Sequence, residues 1–173
     1  VYGWNSGGFA VVLYEFVNKE SDNMETTFGF EVLPQIDGAY GLESVEYNSG
    51  RGIVQLQQSA FSTKVGFKVL SEDIQTLTIV DWFDSYELGD TLLWDWLTAG
   101  TITSSFSSGS DGSVDILGLA PKTVSLDETT EVWVAIAVGA TEGEMFDNIS
   151  AAVEKYTTIT DVKREDGLLP QNY

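Results

Sequence analysis

The chain has 173 residues, and its 27 acidic residues outweigh 8 basic ones to give a net charge of −19. A length of about 150 residues suits one domain with a well-buried core, and the five Trp, seven Tyr and nine Phe exceed what a disordered acidic chain carries. Phosphate groups repel such a polyanion, which argues against nucleic acid as a partner. The acidic surface either serves solubility alone or fits a setting rich in salt or divalent cations, outside a cell.

Two residue types that carry much of enzyme chemistry are missing, since the chain contains neither histidine nor cysteine. Their absence removes the commonest general base, the commonest zinc ligands and the Ser-His and Cys-His nucleophiles. We therefore expect a protein that is not an enzyme. No apolar run approaches the ~20 residues of a membrane-spanning helix, so we also expect no membrane insertion.

The first half of the chain is typical of β-strands. Runs that are rich in Val and aromatic residues, or that alternate apolar with polar residues, predict strands at residues 9–18, 26–33, 43–47, 53–58, 63–70 and 75–80. Glycines at 50 and 52 favour a turn, so the third and fourth runs are predicted to form a hairpin. The last run, 75–80, is expected at a sheet edge.

The stretch 90–119 contains a short helix, a loop and a strand by the same criteria. Residues 90–100 predict the helix, with Asp90 as its N-cap and Gly100 just past its end. Residues 104–112 are rich in Ser and Gly and predict a loop. A strand at 114–119 follows the loop.

The last third predicts a core strand followed by a helix. Residues 131–139 are apolar on both faces apart from Glu131, which is typical of a central strand. Thr141 and Glu144 resemble a capping box, and apolar residues then recur at helical spacing over 142–156.

Together these elements predict a mostly β fold, an antiparallel β-sandwich with one C-terminal α-helix packed on it and one short helix. The domain is expected to span residues 1–156. Residues 157–173 are more polar and lack a clear period, so we interpret them as a linker or a last strand.

Aromatic residues close to carboxylates raise the possibility of a ligand site. Residues 81–86 combine two Asp, one Trp, one Phe and one Tyr, which suits a buried cluster, a carbohydrate platform where rings stack on sugars, or a calcium loop. The candidates for a sugar platform are Trp82, Tyr86, Trp94 and Trp96.

A second candidate site is the loop at 107–115. Asp111 and Asp115 flank Gly112, a spacing that can turn carboxylate oxygens toward Ca²⁺, although the ligand register of an EF-hand is missing. A solvated turn is the alternative interpretation. Asp22, Glu25 and Asp37 are weaker candidates of the same kind. Calcium is thus the one cofactor that the sequence suggests.

Residues 131–156, with the sequence EVWVAIAVGATEGEMFDNISAAVEKY, resemble the end of a β-sandwich module of large secreted bacterial proteins, some of which carry subtilisin-like protease domains. Residues 9–33 are similar to the opening hairpin of that family, and residues 97–101 add a further match. Residues 33–37 differ from the Asp-Trp-Asp segment that is common there, so no ligand role is carried over. The resemblance implies a secreted accessory module.

The final residues LLPQNY at 168–173 resemble the lead-in to the sorting domain of the type IX secretion system of Bacteroidetes. This implies an extracellular or cell-surface location. We therefore expect a non-catalytic structural or adhesion module, and one form it can take is a self-assembling filament subunit. Its expected partners are other copies of itself or other surface proteins. The strand at 9–18 is close enough to the N-terminus to complete the sheet of a neighbour. The alternative is a glycan-binding module that is attached to a secreted enzyme, with polysaccharide as partner.

Overall fold

A computed structural model describes residues 1–5, 7–85 and 89–166 of the chain. Within these ranges the strands are β1 Tyr2–Gly3, β2 Phe9–Val17, β3 Met24–Thr26, β4 Gly29–Val32, β5 Glu43–Asn48, β6 Ile53–Gln58, β7 Lys64–Val69, β8 Thr76–Asp81, β9 Ser105–Ser107, β10 Ser113–Gly118, β11 Lys122–Val124 and β12 Thr129–Gly139. The helices are α1 Trp82–Ser85, α2 Asp90–Leu97 and α3 Glu142–Asp166.

A large antiparallel sheet forms the centre of the molecule, with the strand order β1-β2-β12-β7-β6-β5-β9. A smaller sheet, β4-β10-β8, packs over one of its faces, and β11 pairs with β3 beside it. The predicted hairpin is confirmed, because β5 and β6 pair antiparallel from Glu43 to Gln58. The fold is thus the mostly β, antiparallel sandwich that the sequence predicts, with α3 at its C-terminal end.

The two faces of the large sheet follow from the two-residue period of a strand. On β12, Val132 and Val134 point into the sandwich core that the two sheets share. Their neighbour Trp133 points to the other face and packs under α3. The predicted core strand therefore serves two hydrophobic cores at once, which explains why it is apolar on both faces.

Helix α3 covers the second face of the large sheet. Met145, Ile149 and Ala152 recur on one side of the helix and are buried against that sheet. A side chain at Gly66 of β7 would collide with the sulfur of Met145, so the glycine lets the helix lie close to the sheet. The predicted capping box is present in part, since the Glu144 amide donates to Thr141 Oγ1 at 3.2 Å and the Glu144 carboxylate accepts from the Ala140 amide at 2.8 Å.

Helix α3 continues to Asp166, so the prediction of a linker or strand from residue 157 onward is wrong for residues 157–166. Ile159 extends it, because this residue continues the apolar stripe against the helix-side core. The hydroxyls of Thr157 and Thr158 donate to the carbonyl oxygens four residues earlier, at 3.0 and 2.9 Å, and so find partners within the helix. Residues 167–173 lie outside the described part of the chain.

Three further details differ from the sequence prediction. The strand predicted at 26–33 is divided between β3 and β4, because the chain pairs first with β11 and then with β10. Asp90 is the first residue of α2 rather than its cap, since the N-cap is Gly89 and makes no side-chain hydrogen bond. The loop predicted at 104–112 contains β9, which pairs with β5. None of the described helices is long and apolar enough to cross a membrane.

Candidate functional site

The predicted aromatic platform is only partly formed. Trp94 is 54% exposed on α2, whereas Trp82 and Trp96 are half-buried. Trp94 and Trp96 are two positions apart on a helix and therefore point to different sides of it. Tyr86 lies outside the described residues. Of the three candidates that the structure describes, Trp94 is the exposed ring that can meet a ligand.

Trp94 borders a shallow groove between α2 and the outer face of the small sheet. The groove has a volume of about 350 Å³. Its apolar lining comes from Phe30, Leu93, Trp94, Leu97 and Ile116, and the acidic residues Glu31 and Asp90 line it as well. An aromatic ring beside two carboxylates is an arrangement that can stack on a sugar and accept hydrogen bonds from its hydroxyls.

The two predicted calcium ligands lie in different environments. Asp111 is exposed at the turn before β10, whereas Asp115 is fully buried within β10. Asp22, Glu25 and Asp37 are exposed as well, and the Thr63 hydroxyl donates to Asp37 Oδ2 at 2.6 Å. Within the described ranges, no three acidic side chains gather in an arrangement that suits a metal ion.

The acidic side chain that influences Asp115 is Glu43, at the start of β5, which was not among the residues predicted for a site. Glu43 is 1% exposed. Its Oε2 accepts hydrogen bonds from the Ser108 hydroxyl at 2.6 Å and from the Ser113 amide at 3.2 Å. The signal for it was present in the sequence, because Glu43 alternates in phase with the buried Val45 and so points into the sandwich core.

Ser113 and Asp115 point into the same core from the opposite sheet. They are two residues apart on β10, on the face that also carries the core residue Leu117. Glu43, Ser113 and Asp115, together with Ser108, form what we call the polar end of the sandwich core. The loop from Ser108 to Gly112 closes this end, and its Gly109 amide donates to Asp81 Oδ1 at 2.8 Å.

The polar end concentrates the buried oxygen atoms that have no hydrogen-bond partner. In the described part of the chain five buried side-chain oxygens lack such a partner, and four of them are here: Glu43 Oε1, Ser113 Oγ, Asp115 Oδ1 and Asp115 Oδ2. The fifth, Glu72 Oε1, forms a salt bridge with Lys122. A buried polar atom without a partner costs about 1–3 kcal/mol, so four in one place require an explanation.

Burial also changes the acidity of Asp115. The pKa of this carboxyl group is raised from 3.8 to about 7, mainly because burial removes it from water. A side-chain hydrogen bond with Ser113 lowers this pKa, and the nearby negative charge of Glu43 raises it. A carboxylate whose charged form is this costly needs a compensating positive charge or a proton. The two acids and two serines thus form a strongly electronegative, water-poor site.

A different feature of the fold is the free edge of β2. Strand β1 pairs only with Ala10 and Val11, and beyond Val11 no described strand pairs with β2 on that side. Two hydrogen bonds at the ends of β2 fix the direction of its backbone groups. The Val138 amide donates to the Gly8 carbonyl, and the Asn18 amide donates to the Glu128 carbonyl. The backbone groups of even-numbered residues of β2 therefore point toward β12. Odd-numbered residues must then direct their N–H and C=O groups to the open edge. These residues are Leu13, Glu15 and Val17.

The side chains along this edge are mostly apolar and partly exposed. Tyr14, Phe16 and Val17 are each about two-fifths exposed. Tyr14 contacts Phe30 of β4, and Phe16 contacts Phe28 just before β4, with ring centroids 5.4 and 4.3 Å apart. We call residues 12–17 of β2 the open edge.

Comparison with known proteins finds no family model that matches the chain and no curated protein with significant similarity to it. The resemblance to secreted β-sandwich modules and to the type IX secretion lead-in therefore stays a prediction.

Proposed function

We propose that this domain is a non-catalytic structural or adhesion module of the cell surface or the extracellular space, and that a second copy of the chain pairs with it at the open edge. The observation that carries the proposal is the open edge itself. Six consecutive residues of a nine-residue strand have no partner on one side among the described residues. Natural proteins usually shorten, charge or cover such an edge because it invites pairing with another chain.

Pairing with a second copy is favoured by the composition and geometry of the edge. An exposed strand that is antiparallel to its own copy creates a two-fold symmetric contact, which is the commonest kind of homodimer interface. Each strand offers the backbone groups of Leu13, Glu15 and Val17, while Tyr14 and Phe16 supply apolar surface. Main-chain hydrogen bonds then give the affinity and the side chains give the specificity.

The lack of catalytic residue types supports a structural role. The chain has no histidine or cysteine, and the buried acids at the polar end are closed off from solvent, where a substrate cannot reach them. The net charge of −19 opposes self-association at low ionic strength and is screened within about 8 Å at physiological salt. Association is therefore expected to strengthen as salt is added.

The test uses a proline at the open edge. Glu15→Pro removes an N–H that points away from β12, so it blocks strand addition and leaves the β2–β12 ladder intact. Sedimentation velocity and negative-stain electron microscopy should show dimers or longer assemblies for the native chain and monomers for Glu15→Pro. Glu15→Ala, which keeps the N–H, should associate like the native chain.

Val17→Pro is a second variant for the same test, at the end of the strand, where a proline disturbs the fold least. Circular dichroism establishes that each variant is folded. A native chain that stays monomeric at high concentration, with and without Ca²⁺ and salt, would overturn the proposal. So would folded proline variants that both associate as the native chain does.

The groove beside Trp94 favours a second candidate, a glycan-binding module attached to a secreted enzyme. Exposed Trp faces with nearby carboxylates are suited to sugar rings. Isothermal titration with soluble polysaccharides should then show binding that Trp94→Ala abolishes and that Trp96→Phe, on another side of α2, preserves. Equal binding by the native chain and the Trp94 variant would remove this candidate.

A further inference from the structure

We propose that Glu43, Ser113 and Asp115 form a buried site for one calcium ion that joins the two sheets of the sandwich. Two carboxylates balance the charge of a divalent cation. The acidic residues are accompanied by an independent sign of a ligand, the Ser113 hydroxyl, which is 2% exposed and has no hydrogen-bond partner at ordinary distance. Its nearest polar neighbour is the Asp115 carboxyl group, whose pKa it lowers. Ser113 points into the same space as Asp115.

The arrangement of the oxygen atoms is the main argument. Glu43 belongs to the large sheet and Asp115 to the small sheet, and both face the core between the sheets. Glu43 Oε2 is held by the Ser108 hydroxyl and the Ser113 amide, so Oε1 is left free to bind a ligand. Both oxygens of Asp115 are available as well.

The backbone around Glu43 is shaped to hold its carboxylate close to β10. Gly112 has a φ of 94°, a conformation that favours glycine, and it brings the start of β10 against the carboxylate of Glu43. Leu42 has a φ of 59°, a left-handed conformation that is uncommon for this residue type. Its amide donates to the Gly109 carbonyl at 2.8 Å, which ties β5 to the closing loop.

Calcium fits these donors better than other cations. All of the proposed ligand atoms are oxygens, and soft metal ions prefer sulfur ligands instead. Ca²⁺ accepts six to eight oxygen ligands in irregular geometry, whereas Mg²⁺ demands an octahedron and keeps several of its waters. The polar end is closed to solvent, which disfavours a hydrated ion. Backbone carbonyls or buried water would supply the remaining ligands.

No basic side chain neutralises the pair in the described part of the chain. The hydrogen bonds of Glu43 come from serine residues, and the salt bridges of the described residues lie elsewhere, between Lys19 and Asp127 and between Lys122 and Glu72. A proton shared by the two acids is the competing explanation, and the experiment must distinguish it.

The test measures calcium binding and thermal unfolding of the full chain after removal of metal with EDTA. Titration is performed in 0.5 M NaCl (roughly 4 Å screening length) to suppress weak binding to the acidic surface. We expect one Ca²⁺ per chain and a rise of about 5–10 °C in Tm when Ca²⁺ exceeds its Kd about 100-fold. Mg²⁺ should give a much smaller rise.

The variants separate the buried site from the acidic surface. Asp115→Asn should lose the bound ion and the rise in Tm, and Ser113→Ala, which keeps both carboxylates and should fold, should weaken binding at least tenfold. The matched control is Asp111→Asn, which removes the same charge from an exposed position four residues away and should bind Ca²⁺ as the native chain does.

Three results would overturn the proposal. One is a native chain that binds no Ca²⁺ and has the same Tm with EDTA and with Ca²⁺, which would leave the shared proton as the explanation. Another is an equal effect of Asp111→Asn and Asp115→Asn, which would place binding on the surface. A third is an equal response to Mg²⁺, which would rule out the assignment to calcium.

Discussion

The two faces of the large sheet are covered in different ways. On the helix face, α3 buries an apolar set that includes Met145, Ile149 and Trp133, and the indole N–H of Trp133 donates to Glu131 Oε2 at 2.9 Å. On the sandwich face the core is apolar in its centre but ends in Glu43, Ser113 and Asp115, whose oxygens are largely without partners. The packing on the helix face stabilises the fold, whereas the buried oxygens on the sandwich face lower its stability unless a ligand binds them.

The largest effect is expected on the helix face. Met145 is fully buried, and the neighbouring Gly66 has no side chain that could fill a cavity beside it. Met145→Ala should lower the free energy of unfolding by about 4–5 kcal/mol, near the upper end for such substitutions. Urea unfolding that is followed by Trp fluorescence measures this loss.

The matched control for Met145 is Met24, the other methionine of the chain, which is 40% exposed on β3. Met24→Ala should change the free energy of unfolding by no more than about 0.5 kcal/mol. Similar losses for the two variants would contradict the view that α3 anchors the fold.

The polar end should make the free energy of unfolding fall as pH rises, whereas an acid in a salt bridge makes it rise. Because burial raises the pKa of Asp115 to about 7, the folded chain binds more protons than the unfolded chain between about pH 4 and 7. Its free energy of unfolding in EDTA should therefore fall as pH rises through this window, by on the order of 4 kcal/mol from this group. Below pH 4 this contribution is absent because both states are protonated.

Asp115→Asn isolates that contribution from the other carboxylates of the chain. In urea unfolding with EDTA, the variant should match the native chain near pH 4 and exceed its stability at pH 8. Asp111→Asn, at an exposed position, should follow the native pH profile. A constant difference between Asp115→Asn and the native chain from pH 4 to 8 would show that the buried carboxyl group does not titrate in this range.

The smallest effect concerns the beginning of α3. Thr141→Ala removes the hydroxyl that accepts the Glu144 amide and should lower the free energy of unfolding by about 1 kcal/mol. Thr158→Ala is the control within the same helix, where the hydroxyl bonds the Glu154 carbonyl on an exposed turn and the change should be near zero. Thermal unfolding that distinguishes the two variants confirms the cap.

The strands were predictable because their signal is local. The alternation in β6 and β7 and the apolar run of β12 fix which residues are buried without reference to the rest of the chain. The division between β3 and β4 was not predictable, since it depends on partners almost 100 residues away. The extension of α3 past Tyr156 also depended on tertiary packing of Ile159, which overrides the modest helix propensity of threonine.

The candidate site could be predicted only in part. Asp115 was a candidate because of its position after a Ser- and Gly-rich loop, but its expected partner, Asp111, is exposed. The actual partner is Glu43, 72 positions earlier, and only the packing of two sheets brings the two acids together. A charged residue in phase with buried neighbours, as Glu43 is with Val45, is the one local sign of such a site.

The antiparallel pairing of β2 with β12 determines how the domain would respond to mechanical tension. Phe9, the first residue of β2, lies opposite Ala137, near the end of β12. The segments that flank the two strands therefore leave from the same end of a nine-pair ladder. A force that pulls on those segments would open the ladder one pair at a time, as a zipper opens, instead of shearing all the pairs together.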